Sequence, residues 1–175
     1  LKASCDDLAS SLAAQKLDPD AELVVAGSQD KDLRNFRANS TRVYQLQRQK
    51  NIDMAKVTRL ILVDTRQPSR IGNFTKCLKN PGLSVHIYDH HPELPGDLKG
   101  DYEDIRPGGA TATVFTKIFR ERNIEVDQEE ATILAMAICE DTGSFTFSTT
   151  TPDDLEAMAW LLPRGANLHT VAQFV

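Results

Sequence analysis

Four short acidic stretches carry the residues best suited to chemistry: SCDDLAS at residues 4–10, LVDTRQPSR at 62–70, IYDHHP at 87–92 and ICEDTGSF at 138–145. The third joins Asp89, His90 and His91 directly to an apolar run. Side chains of neighbouring strand residues point to opposite faces, so all three can serve one site only where the chain turns. Pro92 and the Pro95-Gly96 pair mark such a turn. Asp oxygens joined by an imidazole nitrogen form a hard, mixed donor set that suits Mn²⁺ or Mg²⁺ better than thiolate-bound zinc. Ions of that kind polarise a phosphoryl oxygen and lower the pKa of bound water. The expected chemistry is phosphoryl transfer to water.

Each stretch alone has a plainer reading. Asp64 after a strand can cap a helix, Asp6 and Asp7 suit the positive end of a helix, and Asp141-Thr142-Gly143 is a common turn sequence. Two adjacent histidines, among four in the whole chain, weigh the other way for 89–91. Four such stretches together point to one site.

To bring them together, the chain must fold so that the acids share an edge. Apolar runs alternate with helical periodicity, which predicts an α/β fold with a largely parallel sheet sandwiched by helices. Strands are expected at 22–26, 60–63 and 84–88, with a weaker one at 102–105. Helices are expected at 6–17, 69–78, 110–122, 127–138 and 152–162, and 53–56 reads as a short capped turn. Thr151-Pro152-Asp153-Asp154 combines an N-cap, a proline at the first helical position and first-turn acids. In an open parallel sheet the carboxyl ends of the strands line one crevice, where Asp64 and 89–91 should meet. A first strand before the 6–17 helix is expected to be missing.

Bulk properties agree. A chain of 175 residues, 41% hydrophobic, matches a single domain over 1–175. A net charge of −5 disfavours broad electrostatic binding to nucleic acid. Cys5, Cys77 and Cys139 are odd in number and show no CxxC spacing, so neither a disulfide framework nor a zinc ribbon is signalled. No apolar run reaches the roughly 18 residues of a membrane span, and no signal peptide opens the chain. No membrane association is expected, and the expected location is the reducing cytoplasm.

The ordered set of DDLAS, VDT, DHH and DTGSF resembles the DHH phosphoesterases, which include RecJ-like exonucleases, oligoribonuclease and phosphoadenosine-phosphate phosphatases, and manganese pyrophosphatases. VDTRQPSRIG, GGATATV and CEDTGSF are most similar to the DHH domain at the front of bacterial poly(A) polymerase or tRNA nucleotidyltransferase-like proteins, where CBS and polymerase domains follow. The resemblance spans nearly the whole chain and implies a module excised from a longer protein.

It also implies ligands. The family's first motif reads His-x-x-x-Asp-x-Asp; its second Asp falls on Asp6, its first on Ser4, and its His would precede Leu1. One metal of the two-metal members then loses its ligands, because Ser4 is a poor donor. The other keeps Asp6, Asp64, His90 and Asp141. Asp89 and His91 are implied to act beside the ion on phosphate, with Arg66 and Arg70 as candidate phosphate clamps. Gly108-Gly109-Ala110-Thr111 reads as a plain turn into a helix in preference to an anion cradle.

Three functions remain open. The first is metal-dependent hydrolysis of a phosphodiester or phosphoanhydride in a nucleotide or short RNA or DNA, with one Mn²⁺ or Mg²⁺ site intact. The second is a degenerate metal- and nucleotide-binding module that regulates an attached polymerase. The third is a receiver- or flavodoxin-like domain, which needs no His-His pair. Family hydrolases add a smaller C-terminal substrate-binding domain, so this stretch alone is expected to turn over little. A homodimer is left open.

Overall fold

The computed structural model describes residues 2–25, 28–29, 40 and 44–175. Its elements run β1 (Lys2–Ala3), α1 (Cys5–Leu17), β2 (Leu23–Val25), β3 (Ser28–Gln29), β4 (Leu46–Arg48), β5 (Arg59–Val63), β6 (Ser84–Asp89), β7 (Tyr102–Ile105), α2 (Thr111–Glu121), α3 (Gln128–Asp141), α4 (Pro152–Leu161) and α5 (Leu168–Phe174). Among the described residues every strand pair is parallel: β1 with β3, β2 with β4, and the ordered trio β5-β6-β7.

Alternation along β5 and β6 divides the apolar side chains between two faces. Leu60, Leu62, Val85 and Ile87 join Ile71 in a small core on one face. The larger core lies on the other, where Tyr88 and the partly buried Ile61 and Val63 meet α1, α2 and α3. Residues 131–139 of α3 are all buried, as expected for a helix that is apolar on every side. Its Asp127 cap accepts from the Glu129 and Glu130 amides, which sets where it starts.

Several expectations are corrected. The chain does open on a strand, since Lys2–Ala3 pairs with Ser28–Gln29. The helix expected at 69–78 is instead 3-10 structure, Pro68–Arg70 followed by Gly72–Lys79. Gly72 sits at φ +56, where an α-helix cannot continue from the Pro68 turn. Helix α3 runs to Asp141, beyond the expected end at 138. The strand expected at 22–26 is Leu23–Val25, and Ala26 lies outside the described residues. Among the described residues no helix is long and apolar enough to cross a membrane. The three cysteines are buried and form no disulfide among the described residues.

Candidate metal centre

The carboxyl ends of β5, β6 and β7 lie side by side, and the ladder continues past the strands: the Asp64 amide donates to Tyr88 O at 3.0 Å and the Arg106 amide to Asp89 O at 3.1 Å. Asp64 then turns the chain away at φ +57. That left-handed conformation is costly for most residues and less so for Asp or Asn, whose short polar chains tolerate it. The turn leaves the Asp64 carboxylate buried in the crevice, accepting from the Thr111 hydroxyl at 2.9 Å.

Asp89, at the last position of β6, is 1% exposed and organises the histidines. Its Oδ1 accepts from His91 Nδ1 at 2.8 Å and from the His90 amide at 2.9 Å, while Oδ2 accepts from Arg66 Nε at 2.9 Å. Burial alone would raise the Asp89 carboxyl, but the His91 and Arg66 hydrogen bonds outweigh it and hold the group below its ordinary range. His91 Nδ1 therefore carries the proton, and its half-exposed ring offers Nε2 as the free atom. Arg66 is itself 4% exposed and also grips the His91 carbonyl at 2.6 Å. Its Nε and Nη2 are engaged by protein, so its observed place is behind the histidine turn. Arg70 is half-buried and acts electrostatically on Asp7, with no ion pair among the described residues.

His90 faces the other way. Its Nδ1 donates to Gly108 O at 2.8 Å, which fixes the tautomer with a bare lone pair on Nε2. That Nε2 is buried and makes no hydrogen bond. It lies 3.3 Å from Asp64 Oδ1 and 3.7 Å from Asp141 Oδ2. A lone pair aimed at two carboxylates is unfavourable unless a proton or cation lies between them.

Asp6 completes the set. Although it sits in the first turn of α1, it is wholly buried, where an unsupported carboxylate would be expensive. The support is the start of α2: Thr111 N donates to Oδ2 and Ala112 N to Oδ1, each at 2.8 Å. The glycine turn read as a plain lead-in to a helix thus serves the site through its backbone. Asp141 arrives on the last residue of α3, and the preceding Glu140 accepts from the Cys5 amide at 2.7 Å, tying the ends of α1 and α3 together.

Asp6, Asp64, His90 and Asp141 each offer an atom within 4.8 Å of the others, and Asp64, His90 and His91 form an overlapping group. Burial first, then the Asp64 and Asp141 charges, push the Asp6 carboxyl well up. Burial and Asp64 raise Asp141 to about 7. For His90, burial works downward but Asp64, Gly108 and Asp141 raise it on balance. Three acids and an unpartnered imidazole nitrogen fit a divalent cation, and the donor chemistry is that of Mn²⁺ or Mg²⁺.

A pH dependence follows. A cation entering this set must displace protons, so Mn²⁺ affinity should climb as pH rises through about 7, where Asp141 gives up its proton. The metal-free chain should behave oppositely. Carboxyls raised on folding retain protons that the unfolded chain releases, so their contribution is complete below the unfolded value and disappears as pH rises through the folded one. Calorimetric melting in EDTA should fall between pH 5 and 8, while the increment from added Mn²⁺ grows. An increment independent of pH would contradict this.

Ser4 is engaged in capping a helix. Its hydroxyl accepts from the Asp7 amide at 3.1 Å and donates to the Asp7 carboxylate at 3.2 Å, closing a capping box on α1. Reading residue types missed Thr111, Gly108, Glu140 and the buried Asp154, because they act through backbone groups or from distant elements. Only the GGAT turn before a helix hinted at any of them.

No protein-family model matches the chain. It is 44% identical to the A-adding tRNA nucleotidyltransferase of Geobacter sulfurreducens over its whole length, and 34% identical to that of Aquifex aeolicus over 99% of it. It spans about a fifth of the length of each. Over 45% of the chain it is 38% identical to a Deinococcus radiodurans protein assigned as a manganese-dependent inorganic pyrophosphatase, covering 26% of that protein. A solved Methanococcus jannaschii structure assigned to the family II inorganic pyrophosphatases shares the fold with TM-score 0.80 and 23% identity, over 99% of this chain and 58% of that one. An exopolyphosphatase-related protein of Bacteroides fragilis superposes at TM-score 0.79 with 16% identity, over 100% of this chain and 53% of that one. With the four motifs in order and this fold around them, the chain belongs to the DHH phosphoesterase family.

Proposed function

We propose that the chain is a divalent-cation-dependent phosphohydrolase domain, acting on a phosphoanhydride or phosphodiester of a nucleotide or short oligonucleotide, within a cytoplasmic tRNA nucleotidyltransferase-like protein. The observation that carries this is the buried, unpartnered Nε2 of His90 among three carboxylates. Asp6, Asp64, His90 and Asp141 would hold the cation. When bound, Mn²⁺ or Mg²⁺ supplies charge stabilisation at a phosphoryl oxygen and lowers the pKa of water.

The chain's own residues do the rest. Asp89 fixes the His91 tautomer, which leaves Nε2 of the half-exposed ring to exchange a proton with a phosphate or leaving oxygen. Arg66 holds Asp89 and the His91 carbonyl in place. Arg70 lines a neighbouring groove together with Asp7 and Thr65, which directly follow Asp6 and Asp64 in the chain, and would supply positive charge for phosphate there. The pyrophosphatase relatives support the phosphoanhydride as a substrate class.

The test is phosphate release from pyrophosphate and from a dinucleotide, with Mn²⁺, by the protein carrying its further domains. Turnover should require the ion, and His91→Ala should lower it by about 10²- to 10⁴-fold. Ion-independent turnover would refute the assignment.

Ser4 favours a second reading, a phosphate-binding module without turnover, because the position holds a cap and no carboxylate ligand. Ser4→Asp separates the two, since Asp caps a helix as well as Ser. A hydrolase with a weakened second site should gain turnover. A binding module should bind nucleotide and stay inert.

A further inference from the structure

The structure assigns Asp154 as the positioning residue of the metal centre, acting through the 108–112 turn that carries three of its four donors; this inference rests on the metal reading above. Asp154 is wholly buried on the first turn of α4, far from the cluster in sequence. Its role in the α4 capping box needs only Thr151, whose amide and hydroxyl reach Oδ2 at 2.7 and 2.9 Å. Two further donors come from another part of the fold. The Gly109 amide donates to both oxygens, at 3.2 and 3.0 Å, and the Thr113 hydroxyl to Oδ1 at 2.6 Å. The Asp154 carboxylate takes four donors here, and a helix cap alone leaves half of them unexplained.

What those two donors anchor is the start of α2. Gly108 O orients His90, the Thr111 and Ala112 amides hold Asp6, and the Thr111 hydroxyl holds Asp64. Asp154 holds this segment at two points, Gly109 and Thr113, which bracket Thr111 and Ala112 and adjoin Gly108. Packing closes it further: a Cβ on Gly109 would fall 2.5 Å from Thr142 Cγ2 and 2.7 Å from Asp154 Oδ2. On Gly108 the nearest atoms would be 3.8 Å away, so that position has slack where its neighbour has none.

The experiment compares Mn²⁺ titrations of the purified protein with Asp154→Ala, Asp154→Asn, Thr151→Ala and Gly109→Ala. Thr151→Ala damages the same helix cap but leaves Gly109 and Thr113 engaged. Asp154→Ala should weaken Mn²⁺ by about tenfold or more, the cost typical of losing an outer partner of a ligand. Gly109→Ala should do likewise, Asp154→Asn should fall between, and Thr151→Ala should stay near the parent. The Mn²⁺ EPR signal should change in the same two variants. If Thr151→Ala weakens Mn²⁺ as much as Asp154→Ala, or Asp154→Ala leaves affinity unchanged, the assignment is overturned. The amide shifts of Thr111 and Ala112 give a second readout that needs no ion. They should move in Asp154→Ala and stay in Thr151→Ala, so a parent protein that binds no Mn²⁺ would defeat the metal reading without deciding this one.

Discussion

Asp64→Asn should lower Mn²⁺ affinity by at least about a hundredfold, beyond the range seen when only an outer partner of a ligand is lost. Asp64 is the carboxylate common to both groups, which also share His90: the one with Asp6 and Asp141 and the one with His91. The substitution is chosen for its backbone: Asn accepts the left-handed φ of +57, which Ala would hold at about 1–2 kcal/mol of strain. Asn Oδ1 can also keep accepting from the Thr111 hydroxyl. A second readout separates ligand loss from misfolding. Asp64 contributes to raising both Asp6 and Asp141, so removing its charge relieves repulsion in the metal-free chain. Above pH 7 in EDTA, Asp64→Asn should melt no lower than the parent, yet gain nothing from Mn²⁺. For the parent, saturation at a hundred times Kd should add about 2.7 kcal/mol. Equal stabilisation of parent and variant by Mn²⁺ would place the ion elsewhere.

Arg66→Met should destabilise the fold by about 3–5 kcal/mol, the usual result of removing one partner from a buried ion pair. The exposures decide this: Arg66 is 4% and Asp89 1% exposed, so no solvent screens the carboxylate left behind. The same change releases the His91 carbonyl, so it should also loosen the histidine turn. Urea unfolding would measure the loss, and adding Asp89→Asn should recover part of it by removing the orphaned charge. A loss below about 1 kcal/mol would mean that the pair is solvated in a way its burial denies. Arg66, expected from its position as a phosphate clamp, thus has its largest effect on folding.

That contrast shows what can be read from residue types. The start of the 152 helix was legible to the residue, because a Thr-Pro-Asp-Asp start is a local signal, whereas the 102–105 strand, Tyr-Glu-Asp-Ile, matched its expected bounds on a weaker pattern. The four acidic stretches were legible as partners because a parallel sheet delivers its carboxyl ends to one edge. Leu46–Arg48 carried no such mark: a polar Leu-Gln-Arg run becomes a strand only by pairing with β2. Leu168–Phe174 is short and mixed in polarity, with Val171 its one buried residue. Asp154 read as a helix-start acid, which it is, while its bonds to Gly109 and Thr113 span 45 and 41 residues and leave no trace in local spacing.

The clasp between Glu140 and the Cys5 amide joins positions 135 residues apart, with a cluster acid adjacent to each partner. Closing so long a loop is a late event when a chain collapses, since its entropic cost precedes any reward. The four-residue cluster therefore comes together only once the topology is complete. A cation held there would act as a bolt on an assembled structure, slowing its opening, and would have no nascent site from which to seed assembly.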